Sequence, residues 1–265
     1  MGRAISLFDR GNGPPVVVVP GLQGRWEWAR PALQRLASTC RAISYSLSGD
    51  FGSGRRIGRD LGFDDYVHQL DEVFATAGLT RAVLCGVSFG GFVALHYAAL
   101  HPDRVSALIL ASAPGPGWRP NSQQAGWIAR PWWSLPAFVF TSPLRVWPEV
   151  SAALPAVRNR VGFFARQGMR CLTAPIIPSL MAARIREAAN VDFAADCRRV
   201  AVPTLVLTGE EDLDRVVPVG STRAYTTLIP RAEYRTMPRT GHMGVLTQPS
   251  VFADVVSGFA HAHHH

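Results

Sequence analysis

Apolar positions along this chain follow two rhythms that take turns. Short, largely apolar runs occupy 16–19, 41–46, 82–85, 105–110 and 204–208, with a more polar run at 233–237. Segments of that length, rich in Val, Ile and Leu and bounded by turn residues, read as strands, most of them buried on both faces. Longer stretches with helical spacing fill 27–38, 63–78, 89–100 and 249–259. In 63–78, Val67, Leu70, Val73, Phe74 and Ala77 fall on one face, as a helix packed on a sheet requires. Strands alternating with helices predict an α/β fold: a mostly parallel, doubly wound sheet with right-handed crossovers.

The rhythm stops between about 115 and 200. This stretch holds many prolines, no convincing strand and five tryptophans: Trp118, Trp127, Trp132, Trp133 and Trp147. It reads as a helical insertion over the C-terminal edge of the sheet, where ligands of open α/β sheets bind. The tryptophans either fill the insertion's own core or line a pocket, and packing is the commoner fate of aromatics at helical spacing. The chain then divides into a core at 1–114 and 201–260, an insertion at 115–200, and a probable purification-tag remnant at 261–265.

Composition narrows the chemistry. The 265 residues are 48% hydrophobic and 17% charged, enough for a large core and too apolar for disorder. All 27 cationic side chains are arginine. Without lysine, Schiff-base and pyridoxal-phosphate chemistry and a Walker-type phosphate site are excluded, because each needs a primary amine. The net charge of +8 raises nucleic acid as a partner. However, the arginines are dispersed, with pairs such as Arg55-Arg56 and Arg198-Arg199 as the longest runs and no interleaved aromatics, so none is expected. A single arginine here reads as a solvated surface group. Cys40, Cys85, Cys171 and Cys197 are scattered and predict free thiols, with neither a disulfide framework nor a metal site. No signal-peptide pattern follows Met1 and no apolar run is long enough to span a bilayer, so the expectation is a cytoplasmic protein without a membrane span.

The strongest chemical signal is Gly86-Val87-Ser88-Phe89-Gly90-Gly91. It fits G-x-S-x-G in the required context, with a strand ending at Cys85 and a helix starting at Phe89. Glycines flank the serine because the turn is tight and side chains there would collide with strand and helix. A serine hydroxyl needs a base to become a nucleophile. His68 and His96 lie inside predicted helices and His101 at a helix end. His242, in Thr240-Gly241-His242-Met243-Gly244, sits in a loop between the last strand and the last helix and is assigned as base. The histidine needs a carboxylate to hold its tautomer. The loop after the fourth strand has no acid, whereas 209–214 has four. Spacing from Gly209 favours Asp212 and spacing to Pro218 favours Asp214. Asp214 is preferred, with Asp212 as alternative, because insertions are tolerated better on the strand side than in the packed Val216-Val217-Pro218 segment.

With its chain order of Ser88, Asp214, His242, the sequence resembles the α/β-hydrolase superfamily over nearly its whole length. Val19-Pro20-Gly21-Leu22-Gln23-Gly24 matches the family's oxyanion loop, 48–53 is similar to its next glycine-rich loop, and 115–200 resembles its cap. Two departures stand out: Pro20 replaces the usual histidine before the loop glycine, and the amino-terminal strands are abbreviated. The resemblance implies an oxyanion hole made by the backbone N–H of Leu22 and of Phe89. Gln23 and Arg25 stand beside it, each with an equally good structural role.

The resulting expectation is a serine hydrolase that cleaves small apolar carboxylic esters or lactones through an acyl-enzyme, with no cofactor and no metal. Carbon–carbon bond hydrolases and cofactor-free haloperoxidases use the same serine triad, and a ligand receptor of the same fold is a further alternative. The arginines Arg119, Arg130, Arg145 and Arg184 of the insertion are candidates for holding an acidic substrate.

Overall fold

In the computed structural model, the described residues are 5–54 and 62–264. The Arg55-Arg56 pair, the second half of the 49–58 loop, residues 1–4 and His265 lie outside them. In chain order the elements are β1 (Leu7–Arg10), β2 (Pro15–Val19), α1 (Arg30–Leu36), β3 (Arg41–Tyr45), α2 (Asp64–Thr76), β4 (Ala82–Val87), α3 (Phe89–Leu100) and β5 (Val105–Ala111). The helices α4 (Ser122–Ala129), α5 (Pro131–Ala153), α6 (Val157–Thr173), α7 (Pro178–Ala188) and α8 (Phe193–Arg199) follow without a strand. Then come β6 (Thr204–Thr208), α9 (Ala224–Leu228), β7 (Ala232–Thr236), α10 (Gly244–Thr247) and α11 (Pro249–His263).

The seven strands form one sheet in the order β1-β3-β2-β4-β5-β6-β7. All neighbours are parallel except β1, which runs antiparallel to β3. The period of two sorts the strand side chains between two layers. Val17, Val19, Leu84, Leu108, Leu110 and Val206 face α2, α3, α8 and α9. Val16, Val18, Val83, Cys85, Ile109 and Leu207 face α1 and α11. Two-sided burial is why the central strands read as continuous apolar runs.

Six strands were expected, and β1 is the addition. Leu7-Phe8-Asp9-Arg10 is too short and too polar to announce itself. It is held at the sheet edge by pairing with β3, by Asp9 against Arg41 and by Phe8 against the Trp26 ring. The helix expected over 27–38 is split into a 3₁₀ turn at Trp26–Ala29 and α1. Pro31 explains the break: it lacks an N–H and fits the first turn of a helix, not its interior. None of the helices among the described residues is long and apolar enough to cross a membrane.

The insertion does not pack as expected. Trp132, Trp133 and Trp147 are exposed, because α5 buries only Glu149 and Val150 and α6 only Phe163. The end of α7 and α8 enter the main core, through Ala188 and through Phe193, which stacks on Phe92.

Candidate active site

β4 ends at Val87 and α3 begins at Phe89, so the whole reversal is made at Ser88, which adopts φ 53° and ψ −121°. A non-glycine residue there is strained and persists only where the surroundings over-determine it. Ser88 N–H donates to the Ala111 carbonyl (2.8 Å), and Gly91 N–H donates to the Ser88 carbonyl (2.8 Å). A Cβ on Gly86 would run into the Gly90 carbonyl, and one on Gly90 into the Val19 carbonyl. The flanking glycines are therefore steric necessities, and the turn presents a half-buried serine hydroxyl at the sheet's C-terminal edge.

His242 arrives from the loop between β7 and α10, with its Nε2 3.0 Å from Ser88 Oγ. Its other ring nitrogen lies 3.4 Å from Asp214 Oδ2. That contact is long, and Nδ1 has no aligned hydrogen-bond acceptor. Catalytic hydrogen bonds in unliganded enzymes often tighten only when substrate is bound. Asp214 Oδ1 accepts from the N–H groups of Val216 (2.8 Å) and Val217 (2.9 Å), which turns the carboxylate toward His242. Burial alone would raise the pKa of Asp214; the neighbouring His242 and the two amides outweigh it and hold the carboxyl below its usual range. Asp212, the alternative acid, is exposed, and the ion pair of His242 is with Asp214 instead.

The backbone N–H groups of Leu22 and Phe89 donate to no acceptor among the described residues, which leaves both for an incoming oxygen. The Leu22 carbonyl is engaged. It accepts from Arg184 of α7 (2.9 Å), whose guanidinium also pairs with Asp50. Arg184 is 0% exposed, so one arginine grouped with the solvated ones is in fact the most buried cation described. Gly24, at φ 76°, is required beneath it, because a Cβ there would occupy the place of the Asp50 carboxylate. Arg25 is also buried and gives its guanidinium to Glu27. Arg145 lies over the Trp127 ring, 4.8 Å from its centroid, and Arg119 and Arg130 are exposed.

Two site neighbours escaped sequence reasoning. Glu149 of α5 is buried and accepts from Met243 N–H (2.8 Å) and Thr247 Oγ1 (2.9 Å), bracing the loop that carries His242. Burial pushes its carboxyl above the usual range, although the Met243 and Gly241 amides pull the other way. One signal was present: Glu149 is the lone acid between Asp103 and Glu187. The Arg184–Asp50 pair had none, since its members are 134 residues apart. The four cysteines are free, and burial raises the Cys85 and Cys197 thiols to about 12, which makes them inert near neutrality.

A family model described as the alpha/beta hydrolase fold matches residues 14–249. The chain belongs to the α/β-hydrolase family. Among the relatives of this hydrolase is the 2-hydroxy-6-oxo-2,4-heptadienoate hydrolase of Pseudomonas putida, 28% identical over 97% of this chain and 93% of the relative. Another is the pimeloyl-[acyl-carrier protein] methyl ester esterase of Nitrosomonas europaea, 27% identical over 94% and 96%. Of the solved structures, a thermophilic esterase from Thermogutta terrifontis superposes with a TM-score of 0.79 at 24% identity, covering 98% of this chain and 94% of that one. At that identity the likeness speaks for the fold alone.

Proposed function

We propose that this α/β hydrolase cleaves small, neutral carboxylic esters or lactones through an acyl-enzyme. The observation that carries the reading is the 3.0 Å approach of His242 Nε2 to Ser88 Oγ on a strained strand-to-helix turn. In this reading Ser88 Oγ attacks the substrate carbonyl while His242 Nε2 takes its proton. Asp214 fixes the histidine tautomer and stabilises the imidazolium. The developing oxyanion is held by the N–H groups of Leu22 and Phe89, whose preorganised dipoles act where water is excluded. Collapse breaks the carbonyl carbon–oxygen bond, and the alkoxide takes the proton from His242. Water then attacks the acyl-serine, giving its proton to His242, and release of the acid returns that proton to Ser88. Residues 115–200 act as the cap, and the apolar, proline-rich character of that segment suits an apolar substrate.

A neutral substrate is favoured over an acidic one by the fate of the cap arginines. Arg184, the one buried beside the oxyanion loop, is already committed to Asp50 and to the Leu22 carbonyl. A free carboxylate on the substrate would have to displace Asp50 to reach it. The relatives include a dienoate hydrolase and a methyl ester esterase, and the prior commitment of Arg184 to Asp50 favours the neutral ester.

The test is a graded panel of p-nitrophenyl esters and lactones, assayed with the parent and with Ser88→Ala. The parent should hydrolyse esters and label once, at Ser88, with a fluorophosphonate. Ser88→Ala should lose about 10⁶-fold in kcat, as in serine hydrolases whose nucleophile is removed, and should not label. A variant that keeps the parent rate overturns the mechanism. A parent that labels but turns over only carbon–carbon bonded substrates overturns the ester assignment.

A further inference from the structure

Ten of the twelve large apolar side chains exposed among the described residues belong to α5 and α6. On α5 they form a stripe. Trp133, Phe140, Leu144 and Trp147 recur at intervals of seven, four and three, which places them on one helical face. Trp133 is 88% exposed, Phe140 79% and Leu144 76%. The neighbouring α6 adds Val157, Val161 and Leu172, the last 79% exposed. An apolar surface of this concentration marks an interaction site.

The charge around the stripe identifies what covers it. Between Asp103 and Glu187 the only acidic residue is Glu149, and it is buried beneath the His242 loop. The same stretch carries Arg130, Arg145, Arg158, Arg160, Arg166 and Arg170 on α5, α6 and the turn before α5. Arg158 and Arg166 are exposed, and Arg160 sits over the Trp147 ring, 5.5 Å from its centroid. A second copy of the chain docked on this face would set arginine against arginine with no carboxylate to answer either. Aromatic and leucine side chains flanked by uncompensated arginine are instead the composition of a surface that lies in the headgroup region of an anionic bilayer.

We propose that the α5–α6 face of the insertion docks on anionic lipid, with Trp133, Phe140 and Leu144 entering the headgroup–acyl boundary and the arginines meeting the lipid phosphates. The attachment is peripheral and reversible.

The experiment is sedimentation of the full chain with vesicles of phosphatidylcholine alone and of phosphatidylcholine mixed with phosphatidylglycerol, at low and high salt. Binding to the anionic vesicles should be at least roughly tenfold tighter than to the neutral ones and should weaken with salt. Tryptophan emission should shift to the blue on binding. The triple variant Trp133→Ser, Phe140→Ser, Leu144→Ser and the pair Arg158→Gln, Arg166→Gln should each lose roughly tenfold in vesicle affinity, with unchanged circular dichroism. Three results overturn the proposal: no binding to either vesicle, equal binding to both, or a dimer in solution that the triple variant dissolves.

Discussion

Ser88 shows how much a single residue is asked to do. It caps α3 and ends β4 in a conformation that most L-residues avoid, and it offers its hydroxyl to His242. The carboxylate behind the histidine is a sharper case of local context. Asp212 and Asp214 stand two apart in one acidic loop, yet only Asp214 has the amides of Val216 and Val217 to aim it. Asp214→Asn should lower kcat about 10⁴-fold with the fold intact, because the amide favours the wrong imidazole tautomer. Asp212→Asn should stay within about twofold, as an exposed substitution away from the site does. Steady-state kinetics on one p-nitrophenyl ester checks both, and a reversal of the two effects would reassign the acid. The short spacing of Asp214 to Pro218 matters because Val216 and Val217 must follow directly to supply those amides. The long 3.4 Å His242–Asp214 contact was not foreseeable, since it depends on how two loops from separate strands meet.

Elements are joined by polar straps that no pattern announces. His96, inside α3, links three helices: its Nδ1 lies 2.8 Å from Asp196 of α8 and its Nε2 3.1 Å from Asp64 of α2. Burial disfavours its charged form, but Asp196 first and then Asp64 outweigh that and raise its pKa above the ordinary 6.5. The histidine is the group whose folded value is raised, so its contribution to stability is fully present below about pH 6.5 and fades as pH climbs through the folded value. His96→Asn should therefore lower Tm more at about pH 5.5 than at about pH 9. Thermal melts at the two pH values decide it, and an equal loss at both would mean that the ring acts only by packing. The insertion uses the same device toward the site. Arg184 ties α7 to the Leu22 loop, and Glu149 ties α5 to the His242 loop. The break in the strand–helix rhythm predicts that an insertion exists here; it carries no information about which of its charged residues turn inward.

Across the chain, order and burial are unevenly spread. β4 and β5 are buried along their full length, whereas α4 buries no residue and α6 buries one. Three interior prolines, Pro136, Pro143 and Pro148, each remove a backbone donor from α5. Sub-global opening should thus free α4–α6 well before the sheet unfolds. In native-state hydrogen exchange, amides of β4 and β5 should exchange only by global unfolding and those of α4–α6 at least about tenfold faster. Equal protection of both regions would contradict this. The alternation of strands and helices, the two-layered core and the serine turn were legible in the letters because they follow from local rules: apolar period, turn chemistry and the steric need for glycine around Ser88. Tertiary structure alone decided which carboxylate faces His242, that Arg184 is buried rather than solvated, that β1 closes one edge of the sheet, and that the tryptophans of α5 face outward. Each of these depends on which distant segments share a neighbourhood, and a burial or a charge pair is a property of that neighbourhood, not of the residue that takes part in it.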